Sequence, residues 1–203
     1  MHISEGVLSA PVLLSGAALT AAGTAVGLKK LDYDKIPQAA MLAAVFFLAT
    51  LVHVPVGPSA MHLVLNGLLG LILGWAAFPA ILIGLALQAV LFQFGGLTGL
   101  GVNTLNMALP AIVCYYLFGG LARGENRTLA LGAAFMSGVT GIILSGLMVG
   151  FSLVFTGESF LGAAETIVVA HIPVMIVEGL ITVALVSFLR KVKPEVLHAA
   201  VSG

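Results

Sequence analysis

The chain is 203 residues long, 60% hydrophobic and only 8% charged, with a mean hydropathy of +1.17. Soluble globular domains carry about 25% charged residues, so the composition excludes that class and reads as an all-α, polytopic membrane protein. Formal net charge is zero, which leaves no electrostatic case for nucleic acid.

The chain opens on MHISEG, with neither the basic n-region nor the small-residue cleavage site of a secretory signal. Seven apolar spans follow, at 8–28, 36–54, 61–76, 78–94, 103–121, 128–155 and 167–189, in a single transmembrane domain covering 1–203. The stretch 61–94 could be one bent helix or two short spans, and charge placement decides between them. All eight basic residues fall in three clusters: Lys29, Lys30 and Lys35; Arg123 and Arg127; Arg190, Lys191 and Lys193. Seven spans put the three clusters on one side of the bilayer. The positive-inside rule then places the N-terminus outside and the C-terminus in the cytoplasm of a multi-pass inner (plasma) membrane protein. His198, in the tail KPEVLHAAVSG, is expected to be solvated. Cys114 lies in an apolar run and reads as a small core residue.

Ionisable and amide side chains at membrane depth are costly, so each marks a site, a pathway or a buried pair. Asn66, Gln88 and Asn106 read as hydrogen-bonding glue between helices. Glu178, near the middle of the last span, has no Lys or Arg at its depth; it is expected to be protonated or bonded to an amide or histidine rather than to metal. His171 and His53 read as interfacial, structural residues. His62 is expected to begin the third span directly after a Gly-Pro turn, on the same outer side as the start of the chain.

That placement gives the opening residues a chemistry. The α-amine of Met1, the backbone nitrogen of His2 and the His2 imidazole are three consecutive donors, closing a five-membered and a six-membered chelate ring. With the amide deprotonated, the three nitrogens lie roughly in a plane, and a nitrogen from His62 completes a square. Square-planar nitrogen coordination suits Ni(II) or Cu(II) rather than tetrahedral Zn(II).

Four blocks, MHISEG, PVGPSAMHLVLNGLLG (55–70), GGLTGLGVNTLNMALP (95–110) and HIPVMIVEGLIT (171–182), together resemble the NikM/CbiM family, the membrane substrate-binding (S) components of energy-coupling-factor nickel and cobalt transporters. The resemblance spans nearly the whole chain. It implies an S-component bundle of about seven transmembrane helices with the N-terminal segment inserted into its centre. It also implies metal ligation by Met1, His2 and His62, with Asn103 supporting the site; His53, His171 and Glu178 complete the possible outer shell. GPSAM before His62 tilts the choice to Ni(II) over Co(II). No cofactor is expected beyond the transported ion.

The sequence contains no GxxxxGK[ST], so ATP hydrolysis is expected in partners: a transmembrane coupling component and two cytoplasmic ABC ATPases, with a small extra membrane subunit in many systems. An enzyme is disfavoured, since HExxH is missing and MSGVTG is a poor nucleophile elbow. The rival reading is a proton-coupled secondary metal carrier or channel with His171 and Glu178 as the relay.

Overall fold

The computed structural model describes residues 2–198 apart from 52, 57–58, 158–161, 163–165, 167–168 and 170. Within lipid every backbone polar group must be satisfied internally, and the chain meets this with long helices. These are α1 (Ala10–Lys30), α2 (Ile36–Leu51), α3 (Asn66–Leu73), α4 (Ala77–Phe92), α5 (Leu100–Arg123), α6 (Arg127–Thr156) and α7 (Ile172–Val192). A short helix α8 (Pro194–His198) follows. The sequence expects a third span over 61–76, and here the structure differs. Residues 53–56 and 59–62 form an antiparallel hairpin, β1 and β2, in which His53 pairs with His62, and helix begins only at Asn66. The second span also stops earlier than expected, at Leu51 rather than 54. Pro55 offers no N–H to continue a helix, and the Gly57-Pro58 pair marks a turn in the sequence.

Among the described residues, six helical stretches are long and apolar enough to cross a membrane, and Asn66–Phe92 counts as one of them. Contacts show that the chain reverses inside this stretch. Gly70 and Gly74 of the α3 side lie against Ala111 and Tyr115, so α3 runs parallel to α5. Gly16 meets Val102 and Gly27 meets Trp75, while the Trp75 indole donates to Tyr116 Oη at 2.9 Å, so α1 also runs parallel to α5. Phe78 then stacks back against Gly23, one turn up from Gly27, so α4 runs the opposite way. The turn is a 3-10 segment, Gly74–Ala76, entered through Gly74 at φ 53° and ψ −126°, where glycine carries no Cβ penalty. The chain therefore keeps seven passes, with α3 a half-length helix whose outer half is replaced by the hairpin.

This path puts all eight basic residues at one end of the bundle. Arg123 donates to Leu71 O at 3.1 Å and to Leu197 O at 2.8 Å, and Arg190 donates to Ala122 O at 3.0 Å. In the tail Leu197 is 2% exposed, and its helix packs against α7 and α3; the His198 side chain lies outside what the structure describes. Helix α5 is the central element, touching α1, α3, α4 and α6. The buried Asn66 amide donates to Met107 O, Gly141 O and Ser145 Oγ (3.2, 3.3 and 2.7 Å), tying α3 to α5 and α6. Gln88 donates to Phe47 O at 3.0 Å and to Thr50 Oγ1, and Asn106 to Ser152 Oγ at 3.2 Å. Cys114 is fully buried beside Ser137 O.

At Gly70 a Cβ would collide with the Ala111 carbonyl, whereas nothing lies within 4 Å of one at Gly132. Overpacking a close helix contact costs about 1–3 kcal/mol. Gly70→Ala should therefore lower the melting temperature of the detergent-solubilised protein by roughly 5 °C or more, and Gly132→Ala should leave it nearly unchanged. Equal melting temperatures for both variants would refute the close α3–α5 approach.

Candidate metal centre

Two stretches of irregular backbone enter the bundle, and they meet. The first is residues 2–9, ahead of α1, where Ile3 is fully buried and His2 is 6% exposed. The second is the hairpin with the link 63–65, which carries His62, 4% exposed. His2 Nδ1 lies 3.1 Å from His62 Nε2, with ring centroids 4.6 Å apart.

The first segment is gripped by Asn103, in the first turn of α5. Its Oδ1 accepts the Ile3 N–H at 2.8 Å, and its Nδ2 donates to Ile3 O at 3.1 Å. A primary amide is one of the few side chains that can do both at once. The turn 95–99 covers the same place: Gly95, at φ 72°, packs so closely that a Cβ there would sit 2.9 Å from Asn103 Nδ2 and 3.3 Å from His2 Cβ. A side chain at Gly95 would be strained and would crowd the histidine.

The second segment is gripped by Glu178, fully buried on α7. Its carboxylate accepts the Val64 N–H, and takes the Leu65 N–H at 3.0 Å on both oxygens. Leu65 is the N-cap of α3 and stands in the left-handed region at φ 54°. Glu178 thus caps α3 from another helix, where a negative charge is favoured by the helix dipole. One residue earlier, the Leu63 carbonyl accepts the His62 Nδ1–H at 2.8 Å. That bond leaves His62 Nε2 as the bare nitrogen, facing His2. With Nε2 bare, the proton shared across the 3.1 Å gap belongs to His2 Nδ1.

Of the residues nominated from sequence, His2, His62, Asn103 and Glu178 converge on this place. His171, fully buried at the N-cap of α7, lies within electrostatic reach of His62. The His53 backbone is opposite His62 in the hairpin register. Met1 lies outside the described residues. The sequence expects His62 to begin a helix; instead it ends β2, four residues before α3, and the hairpin is what carries it inward. Sequence reasoning missed the backbone groups that hold the histidines, namely Ile3, Leu63, Val64 and Leu65. No side-chain pattern marks them: the partners of Ile3, Val64 and Leu65 are 100 or more residues away, and the Leu63 carbonyl meets His62 only because the link after the hairpin is not helical. Among the described residues no cluster of three or more His, Cys, Asp or Glu side chains forms a ready-made cation cage.

A family model described as "Cobalt uptake substrate-specific transmembrane region", CbiM, matches residues 2–196. The chain belongs to the CbiM family. A Haemophilus influenzae protein, named provisionally as a metal transport protein, is 45% identical over 204 residues, which covers 98% of this chain and 97% of its own. The fused nickel transport protein NikMN of Rhodobacter capsulatus is 30% identical, with 97% of this chain and 64% of that protein aligned. A crystal structure of a transition metal transporter superposes with a TM-score of 0.75 at 26% identity, covering 95% of this chain and 93% of the other. This CbiM-family chain is accordingly a multi-pass membrane component of metal transport.

Asn103→Ala should release the Ile3 backbone without disturbing the helices. Amide exchange over residues 2–5, read by mass spectrometry, should speed up by about tenfold or more while that of α5 and α6 stays slow, a loss of about 1–3 kcal/mol for two buried hydrogen bonds. Unchanged exchange at the N-terminal segment would show that Asn103 is not its anchor.

Proposed function

We propose that the chain is the substrate-binding membrane subunit of an ATP-driven importer of the energy-coupling-factor type, capturing a divalent transition metal from the outer face, Ni(II) in preference to Co(II). The metal is held by the Met1 amine, the His2 amide nitrogen and Nδ1, and His62 Nε2. The single observation that carries this reading is the 3.1 Å approach of two buried imidazole nitrogens, one of them bare. With metal–nitrogen bonds of about 2.0–2.1 Å, adjacent corners of a square lie about 2.9 Å apart, so the pair is already near a coordination edge. Metal then replaces the proton between the rings. Two imidazoles make too few donors, and the amine and first amide of the chain start, which adjoin the His2 imidazole in the sequence, make up the four. Four nitrogens with one deprotonated amide favour square-planar Ni(II).

Energy comes from a membrane coupling component and two cytoplasmic ABC ATPases, with a small extra membrane subunit in many such systems. The role is that of a transport subunit and not of an enzyme. The names of the relatives support both metals: nickel for the Rhodobacter capsulatus protein, and cobalt for the CbiM of Sorangium cellulosum, 28% identical over 97% of this chain. The relay of a proton-coupled carrier is less well supported, because both Glu178 oxygens already serve backbone N–H groups.

His62→Leu should abolish Ni(II) binding by the purified protein while leaving it inserted and monodisperse. Extending the N-terminus by a tag converts the amine to an amide and should do the same, whereas a C-terminal tag should be tolerated. Wild-type affinity in His62→Leu would remove the ligand assignment.

Affinity should also fall steadily from about pH 8 to pH 5, because amine, amide and imidazole must lack protons to coordinate. A pH-independent isotherm would exclude proton-competing nitrogen ligands.

A further inference from the structure

Glu178 has a second peculiarity besides its grip on the hairpin. It is a fully buried carboxylate, and all eight Lys and Arg residues lie at the opposite, inner end of the bundle. No salt bridge reaches it among the described residues. Its partners are two backbone N–H groups at the start of α3. A helix N-terminus is equivalent to roughly half a positive charge, which leaves about half a negative charge with no Lys or Arg to match it. An unpaired buried charge costs several kcal/mol even after relaxation.

Val64, which Glu178 holds, is two residues from His62. On the reading proposed above, the loaded site contains a divalent cation, neutral imidazoles, a neutral amine and one deprotonated amide, for a net charge of +1. We propose that Glu178 is the counter-charge of the loaded site: its carboxylate offsets the residual positive charge of the bound metal, besides anchoring the turn that carries His62. The inference rests on the metal reading and adds to it a positioning and charge-balancing residue that does not touch the metal. The group that makes a buried carboxylate tolerable is then the cargo. A residual charge of +1 and about half a negative charge, neither matched by a Lys or Arg, come together when metal is bound.

The test is titration of purified, native-N-terminus protein with Ni(II), following both affinity and the ligand-field absorption bands. Glu178→Gln keeps an acceptor for the Val64 and Leu65 amides and removes the charge. It should weaken Ni(II) binding by about tenfold or more, as expected for unit charges several ångströms apart in a medium of intermediate dielectric. The bands should stay at their wild-type positions, because the ligands are unchanged. Wild-type affinity in Glu178→Gln would overturn the proposal. So would weaker binding with shifted bands, which would mean that Glu178 only positions His62.

If Glu178→Gln does not yield monodisperse protein, the shorter pair Glu178→Asp and Glu178→Asn replaces it, the two differing from each other only in charge. The Asp variant should bind about tenfold or more tightly than the Asn variant; equal binding would overturn the counter-charge. His62→Leu, measured alongside, separates the two claims. If it binds like wild type, the ligand reading fails. If it is dead while Glu178→Gln is normal, the ligand reading stands and the counter-charge fails.

Discussion

Non-helical backbone can be carried to membrane depth only where protein groups satisfy its N–H and C=O, and that requirement organises the outer half of this molecule. Two irregular segments enter the bundle, and a polar side chain from a helix grips each of them. Asn103 answers both the donor and the acceptor of Ile3, and Glu178 answers the amides of Val64 and Leu65. Without those partners each exposed amide would cost on the order of several kcal/mol in an apolar surround. The helices could still pack, but nothing would keep the two segments inside. The choice of side chains follows from the need. An amide can donate and accept at once, and a carboxylate can take two N–H groups side by side at a helix N-terminus.

Holding the backbone also fixes the chemistry. Asn103 grips the residue after His2, and Glu178 grips the two residues after Leu63, whose carbonyl sets the tautomer of His62. Neither anchor needs to touch a histidine ring, yet together they leave the two rings with little freedom. Side-chain entropy lost on ordering two imidazoles, which otherwise opposes binding, has already been lost in folding. The half-length α3 is part of the same arrangement. A full helix over 61–76 would have filled the outer half of the bundle with its own side chains and left no path for either segment.

The long helices were legible in the sequence because their signal is local. Runs of apolar residues of bilayer length, with basic residues confined to three clusters, predict both the spans and their direction, and the reversal at Gly74 preserves the seven-pass path. The hairpin was not legible for a physical reason. Short apolar runs look alike as strand or helix, and LVHVPVGPSAMHLVL sits between two strong helical patterns that absorb it. Pro55 and the Gly57-Pro58 pair gave the turn but not the strands. The burial of Leu197 against α7 and α3 was not legible either, because only the fold creates that place.

The site divides along the same line. His2, His62, Asn103 and Glu178 could be nominated because polar residues are expensive in lipid, and expense is visible one residue at a time. What each one does depends on pairing across 60 to 114 positions, which no spacing rule reports. Glu178 illustrates the step from one to the other. Its cost says only that some partner exists. The structure then supplies two N–H groups, which hold the carboxylate but carry too little charge to neutralise it. That shortfall, set beside two imidazoles that converge from different segments, makes cation capture the reading that balances both the donors and the charge.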